Sequence, residues 1–189
     1  LEARLLSNAS QGFDWIIGLS SFEIDETNYR SDDGAYGDPF DGYDTFYSTS
    51  SFSSDFSSKS NSIFGSIDLR LDNNFILSFG ARWEDWEANY KDSNQESFKP
   101  SDNMNGGKIS LSNNQSENTT FFASVAKGYK QGGFNLGTGL NNSEFNNSIN
   151  YDPESLINYE VGINKLLPSA DGYLDLVFFY SDRKDQQVL

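Results

Sequence analysis

The sequence contains no cysteine and no histidine in 189 residues. Their absence removes zinc, haem and thiol sites of the usual kinds, and any Ser-His or Cys-His nucleophile pair. Disulfides are not relied upon. Basic residues are scarce: 13 Lys plus Arg stand against 28 Asp plus Glu, for a formal net charge of −15. A phosphate-binding protein needs a basic face and no run here supplies one, so no nucleic acid partner is expected. No stretch of about 18 apolar residues occurs, which excludes a membrane helix but leaves a membrane β-barrel open, because its signal lies in alternation. Contiguous Val, Ile and Leu are sparse, and the mean hydropathy is −0.60. A soluble core of this length would show more of them. No carboxylate pair is set by its spacing in a closed, water-poor pocket, so an enzyme is not expected and no cofactor is implied. The chain opens at Leu1 and stops at Leu189 within a polar stretch, and is expected to belong to something longer.

What the sequence does have is aromatic residues, at 15%, and alternation. Phe121, Ala123 and Val125 share one side of a segment whose other side is Phe122, Ser124 and Ala126. Strict period two means a strand with two different faces. The same pattern recurs in Phe13, Trp15, Ile17 and Leu19, then in Ile63 to Leu71. It returns in Phe75, Leu77, Phe79, Ala81 and Trp83. It recurs again in Ile157, Tyr159, Val161 and Ile163, and in Leu174, Leu176, Phe178 and Tyr180. With LEARLLS at the start and a short strand near 105–112, about eight strands are predicted. Asp72-Asn73-Asn74 marks a tight hairpin, since Asn and Asp tolerate left-handed backbone angles.

The connections fall into two classes. Turns after the first, third, fifth and seventh strands are roughly three to seven residues; those after the second, fourth and sixth are roughly 14 to 37. The first long one is expected as a loop over 25–62, acidic and then serine-rich. A sheet whose long connections share one rim is predicted: an all-β, antiparallel up-and-down meander. The faces opposite the apolar ones carry Asp68, Arg70, Arg82, Glu84, Glu160 and Asp175 mid-strand. In a wide barrel that face looks into a watery lumen, where charge costs little. Glu160 is expected on that face, paired with Lys130 or Arg82. An antiparallel sheet with its polar face in bulk solvent permits the same charges.

Four stretches resemble the barrel of TonB-dependent outer-membrane receptors, most closely the siderophore-receptor-like branch. They are Gly12 to Gly18; Ile63 to Asp68 with Gly80-Ala81-Arg82; Ala126 to Asn135 (AKGYKQGGFN); and Asp152 to Leu156 with Asn158 to Gly162. The resemblance implies part of a transmembrane β-barrel that has 22 strands in the family. Residues 1–189 are then a partial barrel domain. The family's N-terminal plug, its TonB box and its terminal aromatic strand have no counterpart, so this stretch alone is not expected to transport.

The implied function is active uptake of a scarce ligand, a ferric siderophore or similar chelate, across the outer membrane of a Gram-negative bacterium. The implied partners are outer-membrane lipid, that chelate, and the TonB–ExbB–ExbD energy complex acting through the plug. Ligand-binding candidates are Tyr29, Tyr36 and Tyr43 in the first long connection, and Tyr129, Lys130, Gln131, Phe134 and Asn135 at the mouth of the third. The plainer reading of each aromatic is loop packing. Gly132 and Gly133 read as architecture, allowing close backbone approach where a strand leaves the wall. Asp32, Asp33, Asp38, Asp41 and Asp44 are weak candidates for a divalent cation; their spacing does not match an EF-hand loop. Two other readings stay open: a passive porin-like channel, and a soluble extracellular β-sandwich for binding or adhesion.

Overall fold

A computed structural model describes residues 1–8, 12–36, 46–71, 74–116, 118–134 and 150–187. Strand β1 is Glu2–Leu6, β2 Phe13–Tyr36, β3 Phe46–Arg70, β4 Phe75–Asp92, β5 Ser97–Phe98 and β6 Ser101–Ser116. Then come β7 Thr119–Lys130, β8 Gly133–Phe134, β9 Asn150–Tyr151, β10 Glu154–Leu167 and β11 Gly172–Lys184. The main sheet runs β1-β2-β3-β4-β6-β7-β10-β11, with β5 beside β4. Every pairing in it is antiparallel. This is the meander of eight main strands that alternation predicts. The short β8–β9 ladder stands apart from it.

Register lines the apolar positions up across the whole sheet. One row reads Trp15, Ile67, Phe79, Ile109, Val125, Tyr159 and Tyr180. The next row with the same orientation reads Phe13, Leu69, Leu77, Leu111, Ala123, Val161 and Phe178. The row between them, pointing to the other face, is Asp14, Asp68, Ser78, Ser110, Ser124, Glu160 and Phe179. A slip of one residue anywhere would exchange the two faces, so register is strongly specified. No second layer covers the apolar face among the described residues: Phe79 is 38% exposed, Trp83 48% and Ile109 54%.

Connections through residues 7–12, 71–74, 117–118 and the 3-10 turn Pro168–Ala170 share one rim, because the strands run up and down in chain order. The other rim carries the connections through 37–45, 93–100 and 131–153.

One expectation is corrected here. Most of 25–62 is not loop. Strands β2 and β3 stay paired from Phe13↔Leu69 to Tyr36↔Phe46, so the acidic and serine-rich tracts form one long hairpin. Its 24-residue strand β2 extends about 80 Å at a normal rise per residue. Both faces of β2 are exposed from Phe22 to Asp33, and without one-sided burial no alternation survives to be read. Strands β4 and β6 likewise run further into the polar stretch after Asn89 than the composition indicates.

Candidate functional site

Strand β4 changes phase part-way along. From Phe75 to Trp83 its large apolar residues, Ile76 apart, are odd-numbered and face outward; beyond Trp83 the apolar residues are Trp86, Ala88 and Tyr90, on the opposite face. These three, with Met104 of β6, are buried, whereas the outward apolar residues are not. Trp86, Ala88 and Met104 pack together with Phe56 and Tyr129 beside them. The inner face at the long-loop end therefore holds the only packed hydrophobic cluster among the described residues. The Trp86 indole donates to Ser58 Oγ at 2.8 Å, which satisfies its one polar atom.

Below this cluster lies Glu84, also buried. Its carboxylate accepts from Tyr129 Oη at 2.6 Å, Arg82 Nε at 3.0 Å and Gln131 Nε2 at 3.3 Å, and from the Ser60 hydroxyl. Four donors are what a buried carboxylate with two oxygens needs to remain charged. The Arg82 guanidinium lies 5.8 Å from the Phe64 ring centroid and also donates to Tyr129 Oη at 3.1 Å. Tyr129 reaches this hub because Gly106 leaves room: a Cβ there would sit 3.2 Å from its ring.

Residues 131–134 form a strap over the same wall. Gln131 is fixed at both ends, since its amide donates to Glu84 while its carbonyl accepts from Gln187 Nε2 at 2.8 Å. Gln187 also donates to the Asp152 carbonyl at 3.1 Å, tying the two ends of the third long connection together. Gly132 passes so close to the Tyr151 carbonyl and the Asp102 carboxylate that a Cβ would meet them at 2.6 and 3.0 Å. The strap ends in Phe134, whose ring lies 5.2 Å from Tyr90, 5.7 Å from Phe98 and 6.1 Å from Phe56. Burial, reinforced by the hydrogen bond to Asp92, pushes the Tyr90 phenol above its usual range. Burial and then repulsion from Asp152 hold the Asp102 carboxyl above the usual carboxylate range.

The sequence candidates are distributed unevenly over this site. Tyr129, Gln131 and Phe134 come together in it, each already engaged by the wall. Lys130 is exposed at the end of β7, opposite Glu154. Tyr29 is 73% exposed on the β2 extension, remote in register from the hub. Tyr36 closes β2 opposite Phe46. Asp32 pairs with Arg30 at 2.7 Å, and Asp33 lies beside it on the strand. Tyr43, Asn135, Asp38, Asp41 and Asp44 fall outside the described residues.

Glu160 does lie on the inner face, but its expected partners are wrong. It accepts from Asn158 Nδ2 at 2.7 Å and Ser124 Oγ at 3.4 Å, while Arg82 is taken by Glu84. Sequence reasoning missed Glu84 as a hub, and missed Phe56, Tyr90, Phe98 and Gln187 altogether. The phase change along β4 was the available signal. Chemically the site offers aromatic faces, covered by Phe134, above a fully donated carboxylate.

A family model described as TonB dependent receptor-like, beta-barrel matches residues 3–189. No curated protein matches the chain. Among solved structures, the ferric yersiniabactin uptake receptor FyuA from Yersinia pestis superposes with a TM-score of 0.68 at 21% identity, over 99% of this chain and 28% of that one. The ferric-catecholate import receptor Fiu from K12 E. coli gives 0.66 at 14% identity, over 96% and 30%. The siderophore receptor PiuA from Acinetobacter baumannii gives 0.53 at 17% identity, over 88% and 28%. At these identities the likeness is one of fold. The chain spans under a third of the length of each of these receptors.

Proposed function

The chain belongs to the TonB dependent receptor-like β-barrel family, and from that premise we propose that it forms part of an outer-membrane receptor for active uptake of a scarce chelate. The observation that carries this reading is the pair of adjacent rows, one wholly apolar and largely exposed, the next almost wholly polar. Lipid on one side and water on the other is the environment in which both rows are stable. Strands tilted by the usual 35–45° make a hydrogen-bonded row climb as it crosses the wall. Six strand spacings then carry the row from Trp15 to Tyr180 through about 20 Å of membrane depth. Trp15 and the Tyr159–Tyr180 pair would thus reach opposite interfaces, where amphipathic aromatic rings are favoured.

The inner mouth supplies the ligand side of the reading. Phe56, Tyr90 and Phe98 present ring faces to whatever replaces Phe134, and the long β2–β3 hairpin stands over them. That hairpin carries Glu23, Asp25, Glu26, Asp32, Asp33 and Asp55 against Arg30 and Lys59 among its described residues. Such a field repels a strongly anionic complex. A ferric siderophore of low net charge, or a similar metal chelate, is therefore the favoured cargo. The remainder of the receptor, and an inner-membrane energy complex of the TonB–ExbB–ExbD kind, would supply the work.

Uptake of radio-iron as ferric siderophore by cells carrying the complete receptor tests this, with and without a protonophore. Accumulation that collapses without the proton gradient is expected. Equal flux in both conditions would favour a passive channel, and a chain that stays soluble and folded without detergent would favour the adhesion module.

A further inference from the structure

On the outward side of the wall, beyond the apolar rows, sits a polar pocket of about 500 Å³. Glu23, Lys59, Glu87, Asn89, Lys99 and Pro100 line it. The first three are neighbours in one row, Glu23↔Lys59↔Glu87, across three strands. Its position is set by strand geometry. Glu87 is four residues past Trp83, the last large apolar side chain on the outward face of β4. Along a tilted strand that is about 10 Å higher, the level of the headgroup layer if the apolar rows mark the hydrocarbon.

Three features show that the pocket is built for something polar. The Asn89 Oδ1 is buried with no hydrogen-bond donor, a state that costs free energy unless a partner arrives. The Lys59 and Lys99 ammoniums have no ion pair or side-chain hydrogen bond among the described residues. Glu23 and Glu87 balance them, so neither a simple anion nor a simple cation satisfies the whole lining. The complementary partner carries an anionic group for the two ammoniums, and hydroxyl or amine donors for the carboxylates and the orphaned amide oxygen. The pocket faces away from the inner mouth, so cargo passing through the lumen does not meet it.

We propose that this pocket seats the headgroup of a membrane lipid that carries phosphate beside hydroxyl or amine donors, holding one lipid molecule against the outer wall. The inference rests on the reading that the apolar rows span a membrane. Its function would be to fix the base of the long β2–β3 and β4–β6 extensions to the membrane surface, since the lining comes from those two hairpins and from the segment that joins β5 to β6.

The test uses the complete receptor, delipidated and returned to nanodiscs. Native mass spectrometry reads retention of a bisphosphorylated glucosamine glycolipid, with phosphatidylcholine, which offers phosphate but no donor, as reference. The glycolipid should be retained about ten-fold better. Replacing both lysines (Lys59→Gln with Lys99→Gln) should cut retention on the order of ten- to thirty-fold, from the usual contribution of a basic residue near a charged membrane surface. Asn89→Leu should cut it a few-fold with the lysines intact. Retention unchanged in both variants overturns the proposal, as does full displacement of the lipid by inorganic phosphate at matched concentration. Heat-modifiable migration on gels is read in parallel. Failure of every version to insert would overturn the membrane reading itself, whereas normal insertion with unaltered lipid retention removes only the headgroup seat.

Discussion

The lower half of this wall and its upper half use the same strands for opposite purposes. Below Trp83 the apolar side chains are exposed on the outside and the polar ones face inward. Above it the buried apolar residues are inside, at Trp86, Ala88, Tyr90 and Met104, and the outside is charged. In water the lower half alone would be a liability, since its rows leave several large apolar side chains uncovered. The upper half alone resembles an ordinary one-sided sheet packed on a small core. The difference shows that burial measured within one chain reports the protein's own contacts, while the exposed rows report a solvent that is not protein.

The largest test of that contrast is a charge placed in the lower half. Ile109 and Lys108 are adjacent on β6, one facing out and the other in. Ile109→Arg should destabilise the folded barrel by about 2–4 kcal/mol, the depth-dependent cost of arginine on a lipid face. Lys108→Leu, one residue away, should change it by less than about 1 kcal/mol. Urea titrations of refolding into lipid vesicles measure both. Equal costs would mean that the outer face does not meet hydrocarbon. Next in size is Glu84→Leu, which strands Ser60, Tyr129, Arg82 and Gln131 without their acceptor. A loss of about 1–3 kcal/mol is expected, with Glu84→Gln losing less because one oxygen remains. Tryptophan fluorescence of Trp86 during the same titrations separates an upper-half effect from a global one.

How much of this was legible follows from the same contrast. The lower half could be read residue by residue, because lipid on one side and water on the other impose strict period two. The strand count and the sharing of long connections by one rim followed from it. The β2–β3 extension reads as loop because most of Ser48 to Ser53 and the acidic residues opposite them are wetted on both faces, and paired strands without a greasy face leave no periodic trace. Glu84 was legible as an inner-face residue but not as a hub. Its donors come from β3, β4, β7 and the strap, and such convergence is a tertiary fact. The shift of apolar residues from odd to even positions between Trp83 and Trp86 was visible in the sequence, and marks where the outer environment ceases to be apolar.

A smaller effect is expected at the strap. Phe134→Ala empties the slot between Phe56, Tyr90 and Phe98, but the gap opens toward the lumen and water can enter it. The loss should fall near about 1–2 kcal/mol rather than the 3–5 of a sealed core, and should be confined to the strap. Amide exchange at Gly132 and Gly133 should quicken while the β4–β6 ladder keeps its protection. If protection were lost across β4 and β6 as well, the upper half would be a single cooperative unit with the strap as its keystone.

The smallest effect is a pH dependence, and it acts on the same strap from the other side. Asp102 approaches Gly132 closely and has its carboxyl pushed above the ordinary range by burial and by Asp152. The folded state therefore holds that proton more tightly than the unfolded chain does. Below the ordinary carboxylate range both states are protonated and the strap feels no penalty. As pH rises from there through the raised folded-state value, the folded state must carry a partly buried charge next to another carboxylate, and stability is lost. Strap protection, referenced to intrinsic exchange rates, should thus increase as pH falls from neutrality into the acid range. Asp102→Asn should flatten that profile and leave the strap tighter at neutral pH, and Asp152→Asn should reproduce part of it. The change should be no more than a few-fold in exchange rate, because water screens one side of the pair. A profile that ran the other way would mean that the Asp102 charge is stabilised in the fold, and that the mouth of this wall attracts cations instead of retaining a proton.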